Sequence, residues 1–244
     1  MGILKWLFGG GARKYDHGRI DKAMGTWKPY EGGNVLKGTR IPKFLNLPDA
    51  VAKWKDLPGE TPISTALFPY WLRISPKVAG FLVKAVSKGG MYERREIPRE
   101  GKEPRRISVP APVLKFVQGR ILERILMQIP AGEPAHGFVK GRSIFSSAGP
   151  HAGKRVVLKF DLKDFFPSIT LRRVTGLFLS IGFDKKRARM LAGLCCFEKK
   201  LPQGAPTSPM ISNLICRRLD SRLGGLMKKH GFNYTRYADD LVFS

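Results

Sequence analysis

The chain has 244 residues, enough for one large domain or two small ones. Lys and Arg total 44 against 19 Asp and Glu, a formal net charge of +25, and 43% of the residues are hydrophobic. The apolar content excludes wholesale disorder, and the charge points to a polyanionic partner, nucleic acid before an anionic membrane surface.

No apolar run approaches the ~18 residues of a membrane span. The three cysteines include the vicinal pair Cys195-Cys196, with no CxxC and no Cys/His zinc spacing. That excludes a disulfide framework and predicts buried thiols in a reducing compartment, the cytoplasm.

Residues 1–60 repeat Gly, Pro and Lys without periodicity and read as an irregular N-terminal extension. From Pro76 the spacing of Val78, Phe81, Leu82, Ala85 and Val86 predicts a helix ending at Gly89-Gly90. Residues 91–97 and 105–109 read as two strands joined by a charged turn from Pro98 to Pro104. Apolar groups from Leu114 to Ile129 have helical spacing, stopped by Pro130. After a glycine-rich loop, Arg155–Asp161 reads as a compact buried strand through Val156, Val157, Leu158 and Phe160. Ser168 or Thr170 then caps a helix to Ile181, and a further helix covers 185–197. Leu201–Pro209 is a proline-punctuated loop, and Ser208-Pro209 opens a long helix with Ile211, Leu214, Ile215, Leu219, Leu223 and Leu226 on one stripe. Two short strands, Phe232–Tyr237 and Leu241–Phe243, flank a bend at Ala238-Asp239-Asp240.

In so basic a chain the acids at strand ends stand out. Asp161 closes one strand, and Asp239 and Asp240 sit side by side in a hairpin. Adjacent carboxylates repel each other and need a compensating cation, and an all-oxygen donor set suits a divalent metal. An Asp-Asp turn alone is ordinary in solvated hairpins; a second strand-end aspartate upstream and the flanking Tyr237-Ala238 make this one distinctive.

Tyr237-Ala238-Asp239-Asp240 resembles the metal-binding hairpin of reverse transcriptases. The stretch from Asp161 through Phe165-Phe166-Pro167-Ser168-Ile169 resembles their first catalytic strand, and Leu201-Pro202-Gln203-Gly204-Ala205-Pro206 resembles their nucleotide-pocket loop. The order is the family's. Bacterial retron enzymes are the subgroup most resembled, through Gly137–Ile144, the Cys pair, Asn213-Leu214-Ile215-Cys216 and Thr235-Arg236. Retrons carry Asn-Ala-x-x-His before the first catalytic strand; here Ser147-Ala148-Gly149-Pro150-His151 stands there, with Ser for Asn.

The resemblance implies an α+β right-hand polymerase, with fingers over 61–150 and, over 151–244, a palm whose antiparallel sheet is backed by helices. It implies that Asp161, Asp239 and the Leu162 carbonyl bind two Mg2+ ions, with Asp240 as third carboxylate. Phe166 would exclude a ribose 2′-hydroxyl. Gln203, Gly204 and Tyr237 would line the nucleotide pocket, and Arg105 with Lys102 would meet the triphosphate. Ser147, Ala148 and His151 would contact RNA. The implied substrates are deoxynucleoside triphosphates and a structured noncoding RNA serving as primer and template. The implied product is an RNA–DNA hybrid carrying RNA-linked DNA, with an effector protein as partner in phage defence. A group II intron-like or other defence enzyme is the neighbouring alternative, and a non-catalytic RNA-binding remnant the one from another class. In the family a primer-grip hairpin and a helical thumb follow the Asp-Asp hairpin, and here the chain ends at Ser244. Fingers and palm alone are therefore expected, with weak or no polymerisation.

Three other matches are set aside. Gly149–Lys154 lacks the phosphate-loop spacing, Val174-Thr175-Gly176 precedes the hairpin rather than following it, and Asn233-Tyr234-Thr235 is a sequon without a secretory context.

Overall fold

The computed structural model describes residues 76–244, so the expected 1–60 extension lies outside the described residues. The fold is α+β, with two antiparallel sheets among helices. Helix α1 (Pro76–Ser87) buries Ala79, Leu82 and Val86 and ends at Gly89, whose φ of 79° an L side chain resists. Phe81, expected on that stripe, is exposed.

Strands β1 (Tyr92–Arg99) and β2 (Lys102–Pro110) form a two-stranded ribbon. The turn is shorter than the expected Pro98–Pro104, because Pro98 and Pro104 lie within the strands. A register shift after Ile97 accommodates them as a bulge.

Helix α2 (Pro112–Arg124) starts on Pro112 and is shorter than expected. The chain tightens into a 3-10 turn at Leu126–Gln128, and the Gln128 side-chain Nε2 donates to the Glu123 carbonyl at 2.9 Å. Gln118, fully buried in α2, donates to the Tyr92 hydroxyl at 2.7 Å and the Leu194 carbonyl at 2.8 Å, tying ribbon and helices together.

The glycine-rich loop contains a short helix α3 (Ile144–Ala148), held by a Ser143/Ser146 capping box, and a 3-10 turn Gly149–His151. Strand β3 (Leu158–Asp161) corrects the expectation of a buried strand from Arg155. Val156, Val157, Leu158 and Phe160 are all exposed. In the sheet order β3-β5-β4, β3 is an edge, while the long helix backs β4 at the opposite edge.

A single turn, α4 (Phe165–Ser168), leads to α5 (Leu171–Ser180), capped by the Thr170 side chain; Ser168 instead donates to the Phe165 carbonyl. Helix α6 (Lys185–Cys195) is capped by Asp184, which accepts from the amides of Lys186 and Arg187. Helix α7 (Ser208–Lys229) begins at Ser208, but Ser208 does not cap it: its hydroxyl donates to the Pro202 carbonyl at 2.6 Å and pins the preceding loop. Leu219 and Leu226, at the C-terminal end of the expected stripe, are exposed. Strands β4 (Tyr234–Tyr237) and β5 (Asp240–Phe243) form the expected hairpin. One cluster of buried side chains, from Ala79 in α1 to Leu214 in α7, joins both sides of residue 150. All three cysteines are free and buried, as expected.

Candidate active site

The hairpin and β3 build the site. β3 pairs antiparallel with β5 so that Asp161 stands directly opposite Asp240. Residues directly opposite share a face, so the two carboxylates project from the same side of the sheet. One step further the Leu162 amide donates to the Asp239 carbonyl at 3.0 Å, which brings the second hairpin acid against the end of β3. Tyr237 lies opposite Asp240 on the other side, half-buried. The sequence-derived set Asp161, Leu162, Tyr237, Asp239 and Asp240 is thus gathered at one end of one sheet.

The turn is tight. Ala238 has φ of 58°, a left-handed conformation that costs a non-glycine residue roughly 1–2 kcal/mol. Gly137 packs so closely beneath it that a Cβ there would sit 2.6 Å from the Ala238 amide nitrogen. The next residue, Phe138, holds its ring 6.4 Å from that of Phe166 in α4. Phe166 is half-buried beside Phe165, which is buried.

The donors at the site are hard oxygens, which suit a divalent cation. Among the described residues no three acidic, His or Cys side chains already converge on a metal position. A cation of the protein's own meets them instead. The Lys159 ammonium lies 3.0 Å from Asp240 Oδ1, and its pKa is raised by that hydrogen bond and by the charges of Asp240, Asp161 and Asp239. A positive charge belonging to the chain therefore already marks where these carboxylates attract cations. No signal in the sequence reading singled out Lys159.

The nucleotide-pocket residues form a second group. The Ser108 amide of β2 donates to the Gln203 carbonyl at 2.7 Å. Gly204, at φ 122°, packs so that a Cβ would lie 2.7 Å from the Ser108 carbonyl oxygen. The Leu201 amide donates to Ile169 just beyond α4. A cavity of about 660 Å3 has Gln203, Ser108, Arg106 and Pro167 among its walls. Arg105 is exposed on β2 opposite Ile97, and Arg106 rather than Arg105 reaches this cavity. Lys102 opens β2, and its side chain lies outside the described residues.

The third group is placed differently. Ser147 and His151 are buried, and Ala148 is exposed. The Thr235 hydroxyl donates to the Ser147 carbonyl at 3.0 Å, so it accepts from Ser147 Oγ at 3.2 Å and from His151 Nε2 at 2.9 Å. His151 Nδ1 then accepts from the Ser244 hydroxyl at 2.8 Å. The imidazole is neutral above about pH 6.5 because burial and Lys154 lower its pKa, and with Nε2 donating to Thr235 the free Nδ1 is the acceptor for Ser244. Two of the three expected RNA contacts are therefore spent clasping α3 to β4.

Sequence reading gave no role to a buried cluster behind the hairpin, Arg236 with Asp220 and Asn213. A signal was available: Asn213, Cys216 and Asp220 recur at helical spacing on the buried face of α7, where an acid needs a partner.

The fold is an α+β one in which an antiparallel three-stranded sheet brings strand-end aspartates together, and comparison with known proteins names the family. Residues 97–244, more than half of the chain, match the family described as reverse transcriptase (RNA-dependent DNA polymerase). The chain belongs to the reverse transcriptase family, whose members use divalent metal ions. It is similar to the retron Mx65 reverse transcriptase of Myxococcus xanthus, at 36% identity over 96% of this chain and 59% of that relative. It is also similar to the retron Ec86 reverse transcriptase of Escherichia coli, at 41% identity over 63% of this chain and 48% of the relative. The retron Mx162 reverse transcriptase of Myxococcus xanthus is 45% identical over 63% of this chain and 35% of the relative. The chain thus spans 35% to 59% of the length of these curated relatives. No helix among the described residues is long and apolar enough to cross a membrane.

Proposed function

We propose that the chain carries the catalytic core of a retron-type RNA-directed DNA polymerase. The observation that carries this reading is the register of β3 against β5, with Asp161 opposite Asp240 and the Leu162 amide bonded to the Asp239 carbonyl. Asp161, Asp239 and the Leu162 carbonyl hold two Mg2+ ions, and Asp240 completes the carboxylate set. When bound, the ions supply activation of the primer 3′-hydroxyl and neutralisation of the departing pyrophosphate. The chain's own residues do the positioning on which such phosphoryl transfer depends. Phe166 excludes a ribose 2′-hydroxyl, so deoxynucleotides are the substrates. Gln203, Gly204 and Tyr237 shape the pocket, and Arg105 and Lys102 meet the triphosphate from the ribbon. Residues 61–150 serve as fingers and 151–244 as palm.

The template and primer are a structured noncoding RNA, and the product is RNA-linked DNA held as a hybrid. The +25 charge supports this partner class. Of the motif before β3, exposed Ala148 is the member that meets RNA, while Ser147 and His151 shape the surface from within. The setting is cytoplasmic phage defence with an effector protein, and the reduced, buried cysteines are compatible with that compartment.

The test is primer extension by the gene product with Mg2+, deoxynucleotides and a structured RNA, beside a form in which Asp239→Asn and Asp240→Asn are combined. The reading requires synthesis by the first and none by the second, with RNA binding equal in both. RNA binding without synthesis in either would favour the remnant reading, for which Lys159 already sitting on Asp240 is the supporting observation.

A further inference from the structure

Behind the carboxylate hairpin lies a polar network cut off from solvent. Arg236 is 0% exposed and Asp220 1%. Arg236 Nε and Nη2 donate to the two oxygens of Asp220 at 2.8 and 2.7 Å, a two-pronged ion pair. The Tyr234 hydroxyl donates to Asp220 at 2.9 Å. The remaining arginine nitrogen, Nη1, donates to Asn213 Oδ1 at 3.1 Å and to the Ala238 carbonyl at 2.9 Å. Asn213 in turn donates to the Gly137 carbonyl at 2.8 Å, and Gly137 is the residue on which Ala238 rests.

A buried ion pair is weak evidence for stability, because apolar side chains of similar volume often do as well. Its presence asks for another explanation, and its reach supplies one. Ala238 is the left-handed residue of the turn, and its carbonyl belongs to the same peptide as the Asp239 amide. Fixing that carbonyl fixes the plane from which the Asp239 side chain departs. The arginine backbone is clamped as well: its amide donates to the Pro134 carbonyl at 2.7 Å, and its own carbonyl accepts from the His136 amide at 2.8 Å. The guanidinium thus runs from a rigid base to the strained point of the turn.

We propose that Arg236 is a positioning residue for the reaction. Charged through Asp220 and steered by Asn213, it holds the Ala238 peptide so that the backbone of Asp239 and Asp240 stays beside Asp161, from where the three carboxylates can turn onto a metal. The inference rests on the metal-binding reading of those acids given above. Arg236 touches no substrate and acts only through the turn.

The test uses Arg236→Lys, which keeps a charge beside Asp220 but cannot also span to Ala238 and Asn213. A second variant, Gly137→Ala, leaves the ion pair intact and pushes on the Ala238 amide from below. Mn2+ is the probe, with binding followed by the loss of its free paramagnetic signal, and circular dichroism and thermal melting report the fold. Mn2+ binding is expected to weaken about 10- to 100-fold in both variants, the range for residues that orient metal ligands. Single-nucleotide incorporation in the gene product is expected to lose about 100-fold in kcat, with KM for the nucleotide little changed. A purely structural role would lower the melting temperature and leave the Mn2+ affinity of the folded fraction alone, and that result overturns the proposal. Should Arg236→Lys not fold, Gly137→Ala decides by the same measure. If the unmutated chain binds Mn2+ no better than Asp239→Asn, the metal reading of the site falls and takes this inference with it. If the unmutated chain binds and both variants match it, only the inference falls.

Discussion

Asp220→Asn keeps the shape of the side chain and removes its charge, so the Arg236 cation stays at 0% exposure without its counter-ion. Breaking one partner of a buried pair costs about 3–5 kcal/mol, because the remaining charge is neither solvated nor paired. Three donors converge on Asp220, two from Arg236 and one from Tyr234, which favours the upper half of that range. Set against a total stability of about 5–15 kcal/mol, the loss is large. For a domain of this size it corresponds to a fall in melting temperature of roughly 6–20 °C. Arg236→Gln alone leaves an unpaired buried carboxylate and is expected to cost a similar amount. The double variant buries two neutral amides, so its cost falls short of the summed single costs by at least about 2 kcal/mol. Urea unfolding of the four proteins at pH 7.5, followed by circular dichroism, measures this coupling. Additivity of the two substitutions to within about 0.5 kcal/mol would refute the reasoning, since the charges would then not sense each other.

The clasp around His151 makes stability depend on pH in a defined direction. Its folded pKa lies below the ordinary value of 6.5, so the unfolded chain binds protons first, and stability present above about pH 6.5 is lost as pH falls through the window beneath it. His151→Gln is expected to flatten the change in urea midpoint between pH 7.5 and 5.5, and an unaltered slope would count against the clasp. Gly204→Ala places a Cβ 2.7 Å from the Ser108 carbonyl at a φ of 122°, so the ribbon and the pocket loop must separate. A loss of about 2 kcal/mol or more in stability is expected, with a rise in nucleotide KM in the gene product; wild-type values for both would show that the latch is not tight. Burial pushes the Cys195 thiol up to about 12 and raises those of Cys196 and Cys216 as well. Ellman's reagent is accordingly expected to modify none of the three within minutes in the native chain and all three in urea, and rapid native labelling would contradict the burial.

Much of the site could be read in the sequence because its parts are local. Tyr237 to Asp240 is a hairpin whose chemistry sits in four adjacent residues, and Asp161 announces itself as an acid closing an apolar run. Local signals also located α1, α5, α6 and α7 to within a few residues. Failures came where distant contacts decide. The run Val156–Phe160 has the composition of a buried strand, yet whether its faces are covered depends on sheet order, which composition does not encode. Ser147, Ala148 and His151 are singled out by likeness to a family motif alone, and the partners that Ser147 and His151 take within the fold, Thr235 and Ser244, lie more than eighty residues away in sequence. Lys159 and Arg236 look like two more of the 44 basic residues until the fold gives each an acid. In a chain this basic, it is the acids that locate the cations that matter.

The two rims of the three-stranded sheet are treated unequally. At β4 the segment Pro134–His136 hydrogen-bonds along the strand and closes it off. At β3 the described ladder bonds run only to β5, and the oily side chains of Val156, Val157, Leu158 and Phe160 meet water. Like copies brought together along such a rim would adhere, and in dilute buffer the mutual repulsion of molecules carrying +25 keeps them apart. Added electrolyte screens that repulsion and, on the RNA-binding reading proposed above, also loosens contacts with phosphate backbones. On that reading, rising ionic strength brings two separate failures, dissociation from the polyanion and self-adhesion.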